Sequence, residues 1–214
     1  MIGRPSAVVF DCDGVLVDSE PHSVVAWLEM LARFGHPGSE ADVEACTGLG
    51  FGPTHSYLNA IKPLPPSGQV WPTLLAALER SFERGLTVFS DALSVLDAVE
   101  RAGLPTAVAS ASPRQRLDLT LRIAGLAHRF VVSVAGDEVM AAKPDPAVYR
   151  SALTALGRKA SEAVAIEDTV SGTLAAAGAG MRVISVARDN DLRDALNATG
   201  ALVVDRLLPV HVGL

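Results

Sequence analysis

Aromatic residues are scarce in this chain: six Phe, two Trp and two Tyr make up 5% of 214 residues. The core must therefore be filled mainly by Ala, Val and Leu. Cysteine is scarcer still. Cys12 and Cys46 form no CxxC pair, and two cysteines cannot build a disulfide framework. No basic run exists; Lys143 and Lys159 stand alone, and the net charge is −6. That argues against sequence-independent nucleic-acid binding, which needs clustered Lys and Arg to displace counterions. No stretch approaches about 18 consecutive apolar residues, so no transmembrane helix and no membrane partner are expected. The opening MIGRPSAVVFDCDG is too short and too soon acidic for a signal peptide. These absences together lead us to expect a cytoplasmic protein.

What is present is apolar. Hydrophobic residues reach 49% and charged residues 20%, which suits a well-buried core rather than a disordered chain. Ser6–Phe10 is a short apolar run that ends abruptly at Asp11 and reads as a buried strand. Similar runs recur at Thr106–Ala109, Val131–Val134, Ala163–Ile166, Val183–Val186 and Ala201–Val204. Helical patterns fall between several of them, at Asp91–Ala102, Pro113–Ala124, Pro146–Leu156 and Thr173–Ala179. Strands alternating with helices predict an α/β fold with a doubly wound parallel sheet of Rossmann-like type.

Between Asp18 and Val88 the alternation stops. That stretch reads as helices only, at Pro21–Phe34, Ala41–Cys46, Thr54–Ile61 and Val70–Arg84, with the Pro-rich connector Lys62–Pro72 between the last two. We expect residues 1–17 and 89–214 to form the α/β catalytic core and residues 18–88 an inserted helical cap. The cap holds eight acidic against four basic residues, a net charge of −4.

In an open α/β sheet, ligands bind beyond the carboxyl ends of the strands. Asp11, Asp13 and Gly14 follow the first predicted strand, in DCDG. Ser110 follows the second, in VASAS. Lys143 lies past the third, in AAKPD, and Glu167 and Asp168 follow the fourth, in AIEDT. Four carboxylates on one edge repel one another unless a cation lies among them, and all-oxygen ligands suit Mg²⁺. Lys143 and a divalent cation would together offset the charge of a phosphate monoester. Ser110 can donate to a phosphoryl oxygen, and Gly14 lets the chain turn so that backbone N–H groups face the anion. Asp11 can attack phosphorus, and Asp13 can protonate the leaving oxygen and then activate water.

DCDGVLVDSE, VASAS, AAKPD and AIEDTVSG resemble, in order and spacing, the four motifs of the haloacid dehalogenase superfamily, over nearly the whole chain. The nearest resemblance is to its phosphatase and β-phosphoglucomutase branch, whose members carry a helical cap. The resemblance implies Asp11 as nucleophile, Asp13 as acid/base, and Ser110 and Lys143 as phosphoryl ligands. It also implies Mg²⁺ on Asp11, Asp168 and the Asp13 main-chain carbonyl, with Glu167 close by. Thr169 stands where the family usually has Ser, and both carry a hydroxyl. Asp13 is absent from the dehalogenases that named the family, so its presence favours phosphoryl transfer. The expected substrate is a small phosphorylated metabolite such as a sugar phosphate, and the expected state a monomer.

Two alternatives are set against this. A hexose-phosphate mutase would need a cap cation for a second phosphate. Alignment puts Ser23 where mutases carry a hinge histidine and Phe51 where their cap loop carries arginine, so hydrolysis is favoured. A signalling receiver domain uses a similar residue set but has no helical insertion. Elsewhere, GLGFG at Gly48–Gly52 does not follow a strand and is no dinucleotide fingerprint; it is expected to be a flexible cap loop, with Gly48 and Phe51 toward substrate. His22, near the junction, is a candidate substrate contact or a surface residue. Trp27, Trp71 and Cys12 read as core. Ser112 before Pro113 reads as a helix cap, and Arg114 and Arg116 as a solvated helix face, with a substrate contact by Arg114 the alternative.

Overall fold

The computed structural model describes residues 4–188 and 190–214. The chain runs β1 (Ala7–Phe10) and β2 (Val17–Asp18), then four helices, α1 (Glu20–Arg33), α2 (Glu40–Glu44), α3 (Phe51–Ile61) and α4 (Ser67–Glu83). It continues through β3 (Thr87–Val88), α5 (Ser90–Arg101), β4 (Thr106–Ala109), α6 (Arg114–Ile123), β5 (Val132–Val134) and α7 (Ala147–Leu156). It closes with β6 (Ala163–Glu167), α8 (Val170–Gly178), β7 (Arg182–Val186), α9 (Arg193–Asn197) and β8 (Leu202–Val204). Its contacts divide it into two compact units: the described residues up to Asp18 with Val88–Leu214, and Ser19–Thr87.

The first unit is built on a six-stranded sheet in the order β5-β4-β1-β6-β7-β8, with every pairing parallel. All six strands expected from the sequence form, each with ends shifted by at most one residue. The order reverses at β1, where the chain lays β4 and β5 to one side and β6, β7 and β8 to the other. A reversal of this kind opens a crevice at the carboxyl ends of the strands. Register sets what faces it: Phe10 is level with Val108 on β4 and with Ile166 on β6. Asp11 therefore comes out level with Glu167.

β1 is wholly buried because helices cover both faces of the sheet. Ala7 and Val9 point into one layer with Ala107, Ala109, Ala165, Val148, Tyr149 and Leu153. Alanine-rich faces let α7 and α8 approach the sheet closely, which answers the shortage of aromatics. Tyr149 is the one aromatic in that layer and has no exposed surface.

The second unit is helical, as its sequence pattern predicts. α1 buries Ala26, Trp27, Met30 and Leu31, and α4 buries Val70, Leu74, Leu78 and Phe82. Two expectations change here. α4 begins at Ser67, so Pro72 lies inside the helix rather than in the connector. Interior proline removes one backbone bond, and the long apolar face of α4 offsets that loss. α3 begins at Phe51, so only Gly48–Gly50 of GLGFG lies outside a helix. Pro53 falls in the first turn, where backbone N–H groups have no intrahelical partner and proline is tolerated. No helix among the described residues is long and apolar enough to cross a membrane.

One buried polar contact joins the layers of the first unit. The hydroxyls of Thr173 on α8 and Ser185 on β7 lie 2.8 Å apart, and neither residue has exposed surface. Thr173→Val should cost about 1–3 kcal/mol by stranding Ser185, whereas the double variant Thr173→Val, Ser185→Ala should recover much of the loss. Urea unfolding of the wild type, both single variants and the double variant measures this, and strictly additive losses would contradict it.

Candidate active site

β1 ends at Phe10, Asp11 follows it, and the chain turns at once through Asp13 and Gly14. Gly14 has φ +78, and its N–H donates to Val17 O at 2.8 Å. A Cβ at Gly14 would also collide with the carboxylate of Asp168. Glycine is thus required here both by the backbone angle and by the close approach of Asp168. The sequence reading had Gly14 turn the chain so that backbone N–H groups could face an anion. The N–H of Gly14 itself is used within the turn, on Val17 O.

Lys143 is the cation of the site. Its Nζ donates to Asp11 Oδ1 at 2.6 Å, to Glu167 Oε1 at 2.6 Å and to Ala109 O at 3.1 Å. Only 6% of its side chain is exposed. Burial opposes an ammonium, but the charges of Asp11 and Glu167 outweigh it and hold Lys143 well above its ordinary value.

Glu167 is saturated with donors. Besides Lys143, Oε1 accepts from the Tyr149 hydroxyl at 2.8 Å. Oε2 accepts from the backbone N–H groups of Asp168 and Thr169 and from the Thr169 hydroxyl. Burial pushes this carboxyl up, yet Lys143 and the other donors bring it below its ordinary value. Asp11 shares the same lysine with the opposite result: burial pushes it up to about 8, with Lys143 opposing. The number of donors explains the difference. Asp168 is also pushed well above its ordinary value, by burial and then by the charges of Glu167 and Asp11.

Asp168 Oδ1 is buried with no hydrogen-bond partner. Ligand atoms of Asp11, Glu167 and Asp168 lie within 4.8 Å of one another. A buried, unpartnered carboxylate oxygen beside two more carboxylates is a costly arrangement for a protein alone. It fits an all-oxygen site for a hard divalent cation. Glu167, with both oxygens already engaged, contributes charge more readily than a free ligand position.

Asp13 is held from the far side of the crevice. Ser112 donates to Asp13 Oδ2 at 2.8 Å, and Arg116 Nη2 lies 3.1 Å from Asp13 Oδ1. Ser110 is 1% exposed, and its Oγ accepts from the Ser112 N–H. Two readings of this segment are corrected. Ser112 does not cap α6, whose first N–H is taken by Asp137, and its hydroxyl is turned to Asp13. Arg116 is not on a solvated face, while Arg114 is tied to Glu138, Asp118 and Ser133. Two further groups went unread in the sequence, Tyr149 and the pair Arg188–Asp91. Arg188 stacks 3.8 Å over Phe89, forms a two-pronged bond to Asp91 and reaches Gly14 O at 3.2 Å.

The first unit therefore gathers Asp11, Asp13, Gly14, Ser110, Lys143, Glu167 and Asp168. The other predicted site residues belong to the helical unit. Gly48 is exposed in the turn before α3. Phe51 stacks on Trp27 at 5.8 Å and meets Trp71 edge-on at 4.8 Å, so it is packed within its own unit rather than carried on a loop. His22 is tied to Ser81 at 2.9 Å and lies edge-on to Phe82. Cys12 is wholly buried, as core.

A parallel sheet whose switch point carries an aspartate, a lysine and an acidic pair, with a helical insertion after the first strand, fits a hydrolase rather than a signalling receiver, and comparison identifies the family. Residues 8–186 match the family model of the haloacid dehalogenase-like hydrolases, and the chain belongs to that family. It is 31% identical over 189 residues to the fructose-1-phosphate phosphatase YqaB of Escherichia coli (strain K12), covering 87% of this chain and 98% of that one. It is 34% identical over 194 residues to the protein Suppressor of Quenching 1, chloroplastic, of Arabidopsis thaliana, spanning 86% of this chain but 18% of that protein's length. Among solved structures, CbbY from Rhodobacter sphaeroides in complex with phosphate is similar with a TM-score of 0.78 and 28% identity, over 85% of this chain and 86% of that chain.

The charge balance yields a stability prediction. A carboxyl raised when folded keeps a proton that the unfolded chain has lost, so stability falls as pH rises from the ordinary value of 3.8 toward about 8. In chelator, the wild-type melting temperature should fall across that window. Asp168→Asn removes one raised carboxyl and should flatten the fall. Excess Mg²⁺ at about 100 times its Kd should restore about 2.7 kcal/mol to the wild type and little to the variant. A variant that keeps the full Mg²⁺ response would remove Asp168 from the cation site.

Proposed function

We propose that this protein hydrolyses small phosphate monoesters, sugar phosphates among them, through a phosphorylated Asp11. The observation that carries the reading is the single buried ammonium of Lys143 joining Asp11 to Glu167, 2.6 Å from each. That ammonium leaves the Asp11 carboxylate presented at the crevice with part of its charge offset. Similarity to a fructose-1-phosphate phosphatase supports the substrate class.

In this reading a carboxylate oxygen of Asp11 forms a bond to phosphorus while the ester P–O bond breaks. Asp13 gives its proton to the departing alkoxide. A water oxygen then bonds to phosphorus, Asp13 takes the water proton, and the acyl-phosphate P–O bond breaks to return Asp11 and inorganic phosphate. Ser110 donates to a phosphoryl oxygen, and Lys143 balances charge in both steps. Asp11, Asp168 and the Asp13 main-chain carbonyl would hold Mg²⁺. Bound there, the cation would supply charge neutralisation to a dianionic substrate. Glu167 and Tyr149 hold Lys143 in place. The choice among esters is assigned to the helical unit, with Gly48, Phe51 and His22.

A panel of small phosphate esters, scored by released phosphate, tests the reading. Activity should vanish in chelator and return with Mg²⁺, and Asp11→Asn should be inactive. Asp13→Asn should lose on the order of 10²-fold or more. Asp11→Asn turning over near the wild-type rate, after deamidation is checked, would falsify the nucleophile assignment. A separate incubation with β-glucose 1-phosphate and a trace of glucose 1,6-bisphosphate should release inorganic phosphate. Rapid glucose 6-phosphate formation with little free phosphate would replace hydrolase by mutase while keeping Asp11.

A further inference from the structure

We propose that Arg116 is a positioning residue for Asp13, orienting the acid/base carboxylate from the first turn of α6. The inference rests on the phosphatase reading above and adds to it a residue outside the four motifs. Arg116 lies 103 residues from Asp13 in sequence, yet its Nη2 is 3.1 Å from Asp13 Oδ1 and its side chain is 19% exposed. Ser112, four residues earlier on the same segment, donates to the other oxygen, Oδ2, at 2.8 Å. With a donor at each oxygen, the plane and the rotation of the carboxylate are both constrained. An acid/base needs that control, because its proton must travel along a line set by the leaving oxygen and later by water.

The location of Arg116 supports this. It is the third residue of α6, a ten-residue helix without acidic residues in its first turn. Cations at a helix N-terminus oppose the macrodipole, so an arginine there needs a facing anion. Arg114, two residues before, finds that anion within its own neighbourhood in Glu138 and Asp118. Arg116 finds it in Asp13. The arrangement sets Asp13 apart from Asp11 and Glu167, which are held by Lys143 at the strand ends.

The test uses leaving groups. An alkyl phosphate needs its departing oxygen protonated, whereas p-nitrophenolate departs without a proton. We compare kcat/KM for the best alkyl ester of the panel and for p-nitrophenyl phosphate, with Asp13→Asn as reference. Arg116→Ala should lose about tenfold or more on the alkyl ester beyond its loss on p-nitrophenyl phosphate, a fraction of what acid catalysis supplies. The loss should fall on kcat rather than KM, and Arg116→Lys should recover part of it. Adding Arg116→Ala to Asp13→Asn should cost little more. Should Arg116→Ala fold poorly, Arg116→Gln carries the same comparison. Equal losses on both esters, a loss confined to KM, or full additivity with Asp13→Asn would each overturn the inference. A wild type inactive on every ester would fail the phosphatase reading itself and this inference with it.

Discussion

The whole site depends on one buried ammonium. Asp11, Glu167 and Asp168 bring ligand atoms within 4.8 Å of one another, and Lys143 is the positive side chain bonded among them. Bringing charges out of water is costly unless they are paired and hydrogen-bonded. Glu167 meets that condition with five donors. Asp168 does not, since its Oδ1 is buried and unpartnered. The site is thus short of positive charge by construction, and burial holds Asp11 and Asp168 toward their neutral forms. The proposed attack on phosphorus needs Asp11 as a carboxylate. The same shortage that destabilises the protein alone fits the proposed divalent cation and, with it, an anionic ester.

Geometry at this density tolerates no extra atoms. Gly14 and Gly172 each leave room for a carboxylate: a Cβ on the first would strike Asp168, and on the second Glu167. Strand register does the rest. Because Phe10 is level with Ile166, Asp11 and Glu167 emerge side by side and one lysine reaches both. α7, which follows Lys143, returns Tyr149 under the sheet edge to bond Glu167 from below. The framework is set by backbone pairing before any side chain is chosen, and the side chains then meet the charges it brings together.

This logic explains what was legible in the sequence. Strands showed as apolar β-branched runs, and most of the reactive residues showed because they lie at or just past a strand end, with Lys143 in the turn segment before α7. Strand-end placement and the family resemblance together singled out Asp11, Asp13, Ser110, Lys143, Glu167 and Asp168, which the fold brings to one edge of the sheet. Tyr149 and Arg116 were not legible, because each sits on a helix face where aromatic or basic residues are ordinary. Their meaning depends on partners 18 and 103 residues away. Phe51 was misread for another reason. Flanking glycines suggested a loop, but the first turn of a helix accepts Gly and Pro, and packing against Trp27 and Trp71 decided the matter. The two-residue strands β2 and β3 are too short to carry any period.

The strength of each attachment follows what the proposed reaction asks of it. Asp11 needs a single presentation, and it stands at a strand end with 8% of its side chain exposed and an ammonium 2.6 Å away. In the proposed mechanism Asp13 has two tasks of opposite sense, giving a proton and then taking one. It sits in a turn rather than a strand, is 26% exposed, and is held by an arginine and a hydroxyl at ordinary distances. Both contacts leave the carboxylate partly open to solvent, so it is oriented without being enclosed. Glu167, tied by five donors and wholly buried, has no such opening.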